Sequence, residues 1–409
     1  MLSKIISAAL LLAVSAVSFA GAQEAVRELT LPESIDSGIS NSQELLVIKE
    51  QMAIAQQRVN EALSLRYPKI DFNLSASESQ SDSPMVLSQS FDNIYIPGGN
   101  GQYYSTRFTL WQYLYAAGRY TNNLRLAETN LSQAKSQSDI ARIKAIKDIT
   151  VSFYSLIALR DRKAACETAL REVRERSNKS ANRQYWLDAE GELVLKLQVL
   201  KHDYEKAKLV FLNSIGAELN TEFDLRGEIL APSEEYEYNK CLAWALEYRP
   251  ELRQTQFQEA IDSLRVNLSM AERYPTITMG ANYEWIGNQF PLPKTNWSAT
   301  VNLNVPIFDG WASWSRIKQR RFAVREGKVR RSKIENQISL EVKQAYLDFV
   351  FWKERLSAVE KLPSVSDPVK KLENKIQWIE TAQQAVTSKA MLEWAVGKHL
   401  IDAGQNKTQ

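Results

Sequence analysis

Cysteine and histidine are scarce in this sequence. Its 409 residues include only two cysteines, Cys166 and Cys241, and two histidines, His202 and His399. These four residues lie far apart and in none of the spacings by which cysteine and histidine bind zinc or haem. No nucleophile motif, phosphate-binding loop or H-E-x-x-H motif occurs. The sequence therefore predicts no catalytic, metal or cofactor site, and an enzyme is not expected.

Glycine and proline are also few, and the net charge is small. Fifteen glycines and twelve prolines are few for this length, so long uninterrupted elements are expected. The 51 lysines and arginines nearly balance the 48 aspartates and glutamates, which leaves a net charge of +3. Such a balance provides no broad positive surface, and no nucleic-acid partner is predicted. Beyond the N-terminus no apolar run reaches about 18 residues, so we predict no transmembrane helix.

The N-terminal segment has the pattern of a signal peptide. Lys4 precedes an apolar run over residues 5–19, and Ala20, Gly21 and Ala22 provide the small side chains that signal peptidase requires. This run has about 15 residues, whereas about 20 are needed to span a bilayer as a helix. We therefore expect residues 1–22 to direct export rather than to anchor the chain.

The remaining sequence reads as two copies of one unit. Tyr67-Pro68 matches Tyr274-Pro275 at an offset of 207, and downstream matches continue at an offset of 193 because one loop is shorter in the second copy. Repeats of this kind must be recognised before a fold is assigned. We therefore divide the mature chain into a first structural repeat, residues 23–232, and a second structural repeat, residues 233–409.

Periodicity changes in the same order within each repeat. Apolar residues recur at three- and four-residue steps over residues 31–66, which predicts a helix. Alternation of period two then predicts strands at about residues 68–80 and 102–114 in the first repeat, and at about 275–286 and 297–308 in the second. A long stretch with small side chains every seven residues follows, which favours a long helical hairpin packed closely against its neighbours.

The predicted strands suit an outer membrane. Each is about ten residues long and has one apolar or aromatic face, as the strands of membrane barrels do. Aromatic residues gather at the strand ends, like the girdles of such barrels: Tyr67, Tyr103, Trp111, Tyr113, Tyr115, Tyr274, Trp285, Trp297, Trp311 and Trp314. The opposite alternating positions are small and polar, and we expect them to line a barrel lumen: Asn73, Ser75, Ser77, Thr300, Asn302 and Asn304.

A soluble sandwich with the same alternation is the alternative interpretation of the strands. The long helices count against it, because they leave no second sheet to cover the first. Four strands in one chain cannot close a barrel, and open edges are not tolerated in lipid. Two chains would form eight strands with a filled interior, and three would form twelve with a wet lumen. The small polar inward positions favour the wider ring.

The sequence resembles the TolC-like outer-membrane efflux proteins, also called outer membrane factors. The residues that carry the resemblance are Tyr67-Pro68, Tyr274-Pro275, Leu212-Asn213-Ser214-Ile215-Gly216, Arg249-Pro250-Glu251-Leu252, Val305-Pro306-Ile307-Phe308-Asp309-Gly310 and Ala345-Tyr346. The resemblance implies a mostly α protein with a small transmembrane β part. In such a protein a homotrimer forms a twelve-stranded β-barrel that continues as a twelve-helix coiled-coil tunnel in the periplasm.

The resemblance also implies a function and partners. It predicts an outer-membrane channel subunit of a tripartite efflux or type I secretion system, docked to a periplasmic adaptor (membrane fusion) protein and an inner-membrane transporter. In this family polar contacts among helix tips close the periplasmic entrance, and the candidates here are Arg183, Asp188, Glu190, Glu354, Glu360 and Asp367. The alternative is a structural or adhesive periplasmic coiled-coil protein without channel activity.

Overall fold

The computed structural model describes residues 27–79, 85–89, 92–96, 101–177, 183–361 and 367–397. The predicted signal peptide lies outside the described residues, as do the turns of both helical hairpins. In chain order the elements are β1 (Arg27–Leu29), α1 (Leu31–Asn41), α2 (Gln43–Ser64), β2 (Lys69–Ser79), β3 (Met85–Gln89), β4 (Asp92–Ile96), β5 (Gly101–Tyr115), α3 (Arg119–Ser177), α4 (Arg183–Ser214), β6 (Phe223–Leu225), α5 (Tyr238–Tyr248), α6 (Pro250–Ala271), β7 (Thr276–Gly287), β8 (Lys294–Asn304), α7 (Ala312–Val359) and α8 (Pro368–Val396).

The largest sheet has four antiparallel strands in the order β2-β5-β7-β8. The central pair, β5 and β7, joins the two halves of the chain, and the ladder between these strands shifts register between Tyr113 and Tyr115. Strands β2 and β8 form the two edges of the sheet. Among the described strands of one chain, the sheet is therefore open on both sides.

Equivalent elements of the two halves begin at constant spacings. The first residues of α1 and α5 are separated by the same interval as those of α2 and α6 and those of β2 and β7. A second, shorter interval separates the starts of β5 and β8 and the starts of α3 and α7. The same two offsets relate the matching sequence motifs. The elements thus repeat in the same order, and the division of the chain between residues 232 and 233 stays a prediction.

The helix expected over residues 31–66 is two helices, α1 and α2, that meet at Ser42. The Ser42 hydroxyl accepts a hydrogen bond from the Leu45 amide at 3.3 Å, which starts a new helix at this point. In the second half Pro250 stands at the first position of α6 and has the same effect. Periodicity alone missed this break, because the apolar face continues across it.

The last strand differs from its predicted range of 297–308. Strand β8 begins earlier, at Lys294, and ends at Asn304. Pro306 lacks an N–H group and cannot continue the ladder, so the apolar residues after Asn304 leave the sheet. Two further small sheets were not predicted: β1 pairs with β6 in parallel, and β3 pairs with β4 in the loop between β2 and β5. Their strands have three to five residues, too few for a clear alternation.

The helices form one layer, and the helices that lie side by side near the sheet differ from those further away. Next to the sheet, α3 packs against α2 and α6, and α6 packs against α7; further away, α3 packs against α4 and α8, and α8 packs against α7. Small residues allow this close packing: Ala62 and Ala127 are buried together with Val59, and Leu124 and Leu131 cover them. Ala127, Leu124 and Leu131 belong to the seven-residue pattern of α3. At both levels α7 lies at one edge of the layer.

The largest buried cluster lies at mid-length of the helical layer. Phe153, Leu156, Phe211 and Ile379 are almost completely buried there, and the β1–β6 pair contributes Leu29 and Leu225. Arg160 of α3 donates to the carbonyl oxygens of Leu225, at the end of β6, and Gly227, just after it, at 2.7 and 2.9 Å. The segment that links the two halves is thereby attached to the long helix.

Candidate functional site

One face of the four-stranded sheet is apolar and open to its surroundings. Between 57% and 76% of the surface of each of these side chains is exposed: Phe72, Leu74, Trp297, Val301 and Leu303. Phe108 continues this surface in the middle of the sheet, and its ring lies 4.9 Å from that of Phe72 and 6.1 Å from that of Trp285. An exposed apolar band of this kind has the composition of the lipid-facing surface of a membrane barrel.

The six residues expected to line a lumen all lie on the opposite face. Their ladder partners show this, because antiparallel partners point to the same side of a sheet. Asn73 pairs with Arg107, Ser75 with Ser105, Ser77 with Tyr103, Thr300 with Gly280, Asn302 with Thr278 and Asn304 with Thr276. Cross-strand hydrogen bonds join this face: the hydroxyls of Ser75 and Ser105 are 2.8 Å apart, and Ser77 donates to the Tyr103 carbonyl oxygen at 3.4 Å.

Sequence reasoning did not identify the ion pair at the centre of the polar face. Arg107 of β5 and Glu284 of β7 are ladder partners, and their side chains form a salt bridge of 2.8 Å. Only 11% of the Arg107 side chain and 14% of the Glu284 side chain are exposed. Both residues stand at polar positions of the alternating pattern. Nothing in it indicated that strands of different repeats would bring them together.

The aromatic residues form two bands but do not all point outward. Trp285 and Trp297 lie near the end of the sheet that is remote from the helices, whereas Tyr67, Tyr115 and Tyr274 lie near the helices. Tyr103, Trp111 and Tyr113 are an even number of residues from Arg107 on β5, so they share its polar face. An outward girdle is therefore wrong for these three residues, because the strand pleat decides the direction of each side chain.

The structure brings one gate candidate into contact with the other hairpin. Asp367 immediately precedes α8, and one carboxylate oxygen accepts a hydrogen bond from the Val369 amide at 3.1 Å. The other oxygen accepts from the phenol of Tyr185, on α4, at 3.4 Å. The negative charge of Asp367, together with some desolvation, raises the pKa of the Tyr185 phenol above its ordinary value. Tyr185 therefore remains a hydrogen-bond donor at physiological pH.

The other gate candidates have local partners or are exposed. Glu190 accepts from Arg174 of the adjacent helix at 2.8 Å, and Asp188 accepts from Gln184 at 3.0 Å. Arg183, Glu354 and Glu360 are exposed. A second bridge between the hairpins joins Lys371 of α8 to Glu172 of α3 at 3.3 Å. Tyr185, Glu172 and Lys371 were missed, because a contact between distant helices has no signal in the local sequence.

The described part of the chain contains no group of three or more histidines, cysteines, aspartates or glutamates that could hold a metal ion. Cys166 and Cys241 are buried in different hydrophobic clusters, and burial raises the pKa of both thiols. Neither has the lowered pKa of a reactive cysteine. Within the same residues, no helix is long and apolar enough to cross a bilayer.

Part of the sequence matches the model of a known protein family. A family model described as "Outer membrane efflux protein" matches residues 242–364, which include α6, β7, β8 and α7. A sequence comparison with curated proteins finds no significant match. The similarity to this family is therefore concentrated in the second half of the chain.

Solved structures share the fold over nearly the whole chain. The outer membrane protein VceC from Vibrio cholerae has a TM-score of 0.73 at 14% identity, with 90% of this chain and 96% of that chain covered. The MtrE outer membrane channel of Neisseria gonorrhoeae, in its open state, has a TM-score of 0.68 at 13% identity, with coverages of 90% and 88%. CusC has a TM-score of 0.74 at 11% identity, with coverages of 91% and 92%.

The fold class predicted from the sequence is thus confirmed for the single chain, since these channel proteins have the same arrangement of elements. The match to the family model adds a signal from the sequence itself. Together they support the resemblance of this chain to the TolC-like outer-membrane efflux proteins.

Proposed function

We propose that the chain is the subunit of a homotrimeric outer-membrane channel and is a passive conduit for small molecules or protein in an efflux or type I secretion system. The observation that carries this proposal is the four-stranded sheet, with one exposed apolar face and one polar face, joined to helices of 59 and 48 residues. At 1.5 Å per residue, the longer helix extends about 90 Å, far beyond a bilayer. The protein accordingly spans the outer membrane with its sheet and extends into the periplasm with its helices.

The open edges of the sheet support an oligomer. Strands β2 and β8 each have one side without a ladder partner among the described strands of the chain, and unpaired backbone groups are not tolerated in lipid. When β8 of one subunit pairs with β2 of the next, the contact is head-to-tail and closes as a ring. Three copies of four strands form a twelve-stranded barrel, wide enough for a wet lumen lined by the polar face. We therefore retain Asn73, Ser75, Ser77, Thr300, Asn302 and Asn304 as lumen residues.

The edges of the helical layer support the same ring. The edge helix α7 exposes Phe322, Val329, Leu340, Leu347 and Phe351, and the opposite edge exposes apolar residues of α2 and α4, among them Val47, Ile54, Leu195 and Val199. In a head-to-tail ring α7 of one subunit meets α2 and α4 of the next, which buries both sets. Four helices at each level in each of three chains form a twelve-helix tunnel.

The helix tips form the periplasmic end of this tunnel. The Tyr185–Asp367 contact links the two hairpins of one chain, and we propose that it is part of the closed gate. Arg183, Asp188, Glu190, Glu354 and Glu360 remain candidates for contacts between chains. A periplasmic adaptor protein and an inner-membrane transporter are the partners at this end, and the channel itself catalyses no reaction.

The oligomeric state tests the proposed function. The chain is expressed with its predicted signal peptide, the outer membrane is extracted in mild detergent, and light scattering determines the protein mass after subtraction of the detergent. A mass near three times that of the mature chain is expected, together with ion conductance in a planar bilayer. A soluble monomer recovered without detergent would contradict the proposal, because its apolar sheet face would then not lie in lipid.

A further inference from the structure

We propose that the Arg107–Glu284 ion pair sets the charge selectivity of the barrel lumen, because the two central charges of the lumen wall cancel each other within the same chain. This inference rests on the proposed channel function. The pair keeps the centre of the lumen wall neutral. Loss of either partner is expected to convert the barrel into a charge filter.

The pair occupies the middle of the sheet. Arg107 lies near the centre of β5, which extends from Gly101 to Tyr115, and both strands of the pair are interior strands. Asn73 flanks Arg107 on β2, and Asn296 flanks Glu284 on β8. One row of polar side chains therefore crosses all four strands on the lumen face, with the two charges adjacent at its centre.

The orientation of the pair follows from the two faces of the sheet. Ser75 and Ser105, which belong to the neighbouring row, share its side, whereas Phe72 and Phe108 project from the other side. A charged side chain in contact with lipid at mid-membrane costs about 2–4 kcal/mol. The apolar side therefore faces the hydrocarbon, and Arg107 and Glu284 face the lumen.

Few other charges lie on this face. In the described strands they are Lys69, Asp71 and Lys294. Lys69 and Asp71 are neighbours on this face, at the end of β2 near the helices, and their charges are opposite. Lys294 lies at the far end of β8. The wall around the pair is otherwise built mainly of Ser, Thr and Asn. Rings of charged side chains are the usual source of ion selectivity in pores. Here the two central charges neutralise each other at 2.8 Å.

Removal of one partner would expose three like charges in the trimer. Glu284→Gln keeps the shape and an oxygen acceptor for Arg107 but leaves its positive charge on the wall. Arg107→Gln leaves the negative charge of Glu284. The double variant Arg107→Gln/Glu284→Gln restores neutrality without the pair. These three variants separate the effect of charge from the effect of side-chain volume.

The experiment measures the reversal potential of the purified trimer in a planar bilayer under a KCl gradient. Glu284→Gln is expected to shift the chloride-to-potassium permeability ratio upward about threefold or more, and Arg107→Gln to shift it downward by a similar factor. The double variant is expected to return to the wild-type ratio. The control is Arg226→Gln, which breaks an exposed ion pair with Glu28, remote from the sheet, and should leave the ratio unchanged.

The outcomes separate this inference from the proposed function. Single variants that conduct with the wild-type permeability ratio would overturn the role of the pair and leave the channel function intact. A wild-type trimer that does not conduct would overturn the channel function itself. If Glu284→Gln fails to assemble, Arg107→Gln still reports the expected shift in the opposite direction. If the double variant assembles and neither single variant does, the proposal is also overturned, because the pair then acts only in folding.

Discussion

At the residue scale, Arg249 is the most deeply buried charged residue in the described structure, and each of its three guanidinium nitrogens donates a hydrogen bond. Its guanidinium donates two hydrogen bonds to the Glu251 carboxylate, at 2.7 and 3.1 Å, and another to Glu341 of α7. It also lies over the Trp394 ring, 4.8 Å from the ring centre. Arg249 thus ties the junction of α5 and α6 to both helices of the second hairpin.

Loss of this arginine should destabilise the protein strongly. Arg249→Ala is expected to lower the free energy of unfolding by about 3 kcal/mol, the lower end of the range for buried pairs, since both carboxylates remain about a quarter exposed. Arg249→Lys should recover part of this loss, because lysine keeps the charge but not the two-pronged geometry. Denaturant unfolding followed by tryptophan fluorescence measures both. The control Arg253→Ala breaks an exposed pair with Asp139 and should change stability little; equal losses would contradict the expectation.

A second prediction at this scale concerns pH. The Asp309 carboxylate accepts a hydrogen bond from the Ser313 amide at 2.7 Å at the start of α7, and Arg316 is nearby at 3.8 Å. These groups, the Ser313 amide first, hold the pKa of Asp309 below its ordinary value. Its stabilising effect is therefore complete above the unfolded pKa of about 4 and is lost as the pH falls through the lower pKa of the folded state.

Asp309→Asn tests this dependence, because asparagine keeps an oxygen acceptor without the charge. The variant should melt at a lower temperature than the wild type at pH 7, and the difference should shrink as the pH falls below about 4. Thermal melting of the detergent-solubilised protein across this range measures the difference. A difference that is constant with pH would show that the Asp309 charge does not stabilise this helix start.

At the element scale, the return helices α4 and α8 end in the same way but in different surroundings. Gly216 and Gly397 follow them with φ angles of +66° and +76°, a conformation that glycine adopts without strain. A Cβ atom on Gly216 would lie 2.8 Å from the Asn41 Cβ and 2.9 Å from the Asn41 carbonyl oxygen, whereas one on Gly397 would have no neighbour closer than 3.8 Å. The same turn is thus crowded in the first repeat and open in the second.

The two glycines therefore form a matched pair for substitution. Gly397→Ala should cost about 1–2 kcal/mol from the left-handed backbone alone, and Gly216→Ala should cost more because α1 must also move. Denaturant unfolding of both variants measures the difference. Equal effects would mean that the contact between Gly216 and α1 contributes nothing beyond backbone strain.

At the scale of the whole molecule, the proposed gate depends on a contact between the two hairpins. Tyr185→Phe removes the donor to Asp367, and Asp367→Ala also removes the cap of α8, which contributes about 1 kcal/mol. Both variants should raise the conductance of the closed channel in a planar bilayer, and Asp367→Ala should raise it more. Lys361→Gln, an exposed position near the same tip that is not a gate candidate, is the control. Unchanged conductance in both test variants would remove this contact from the gate.

Much of the fold was predictable from local patterns. Alternation of period two located β2 and β5 to within one residue of their observed bounds, and helical periodicity with few breaks indicated the long helices. The polar positions of β2 and β8 were assigned to one face because a strand alternates its side chains regularly. The break at Ser42, the early end of β8 and the short strands were missed, since capping and short pairings depend on one or a few side chains.

The sequence by itself determined the long helices, the four strands of the large sheet and the polar face of each of these strands, because these properties depend on residues close together in the chain. Only the tertiary structure decided that β5 lies beside β7, and hence that Arg107 meets Glu284, 177 residues away. It also decided that Tyr185 meets Asp367, 182 residues away. Such contacts depend on the order of strands and the packing of helices, which the periodicity of a single segment does not specify.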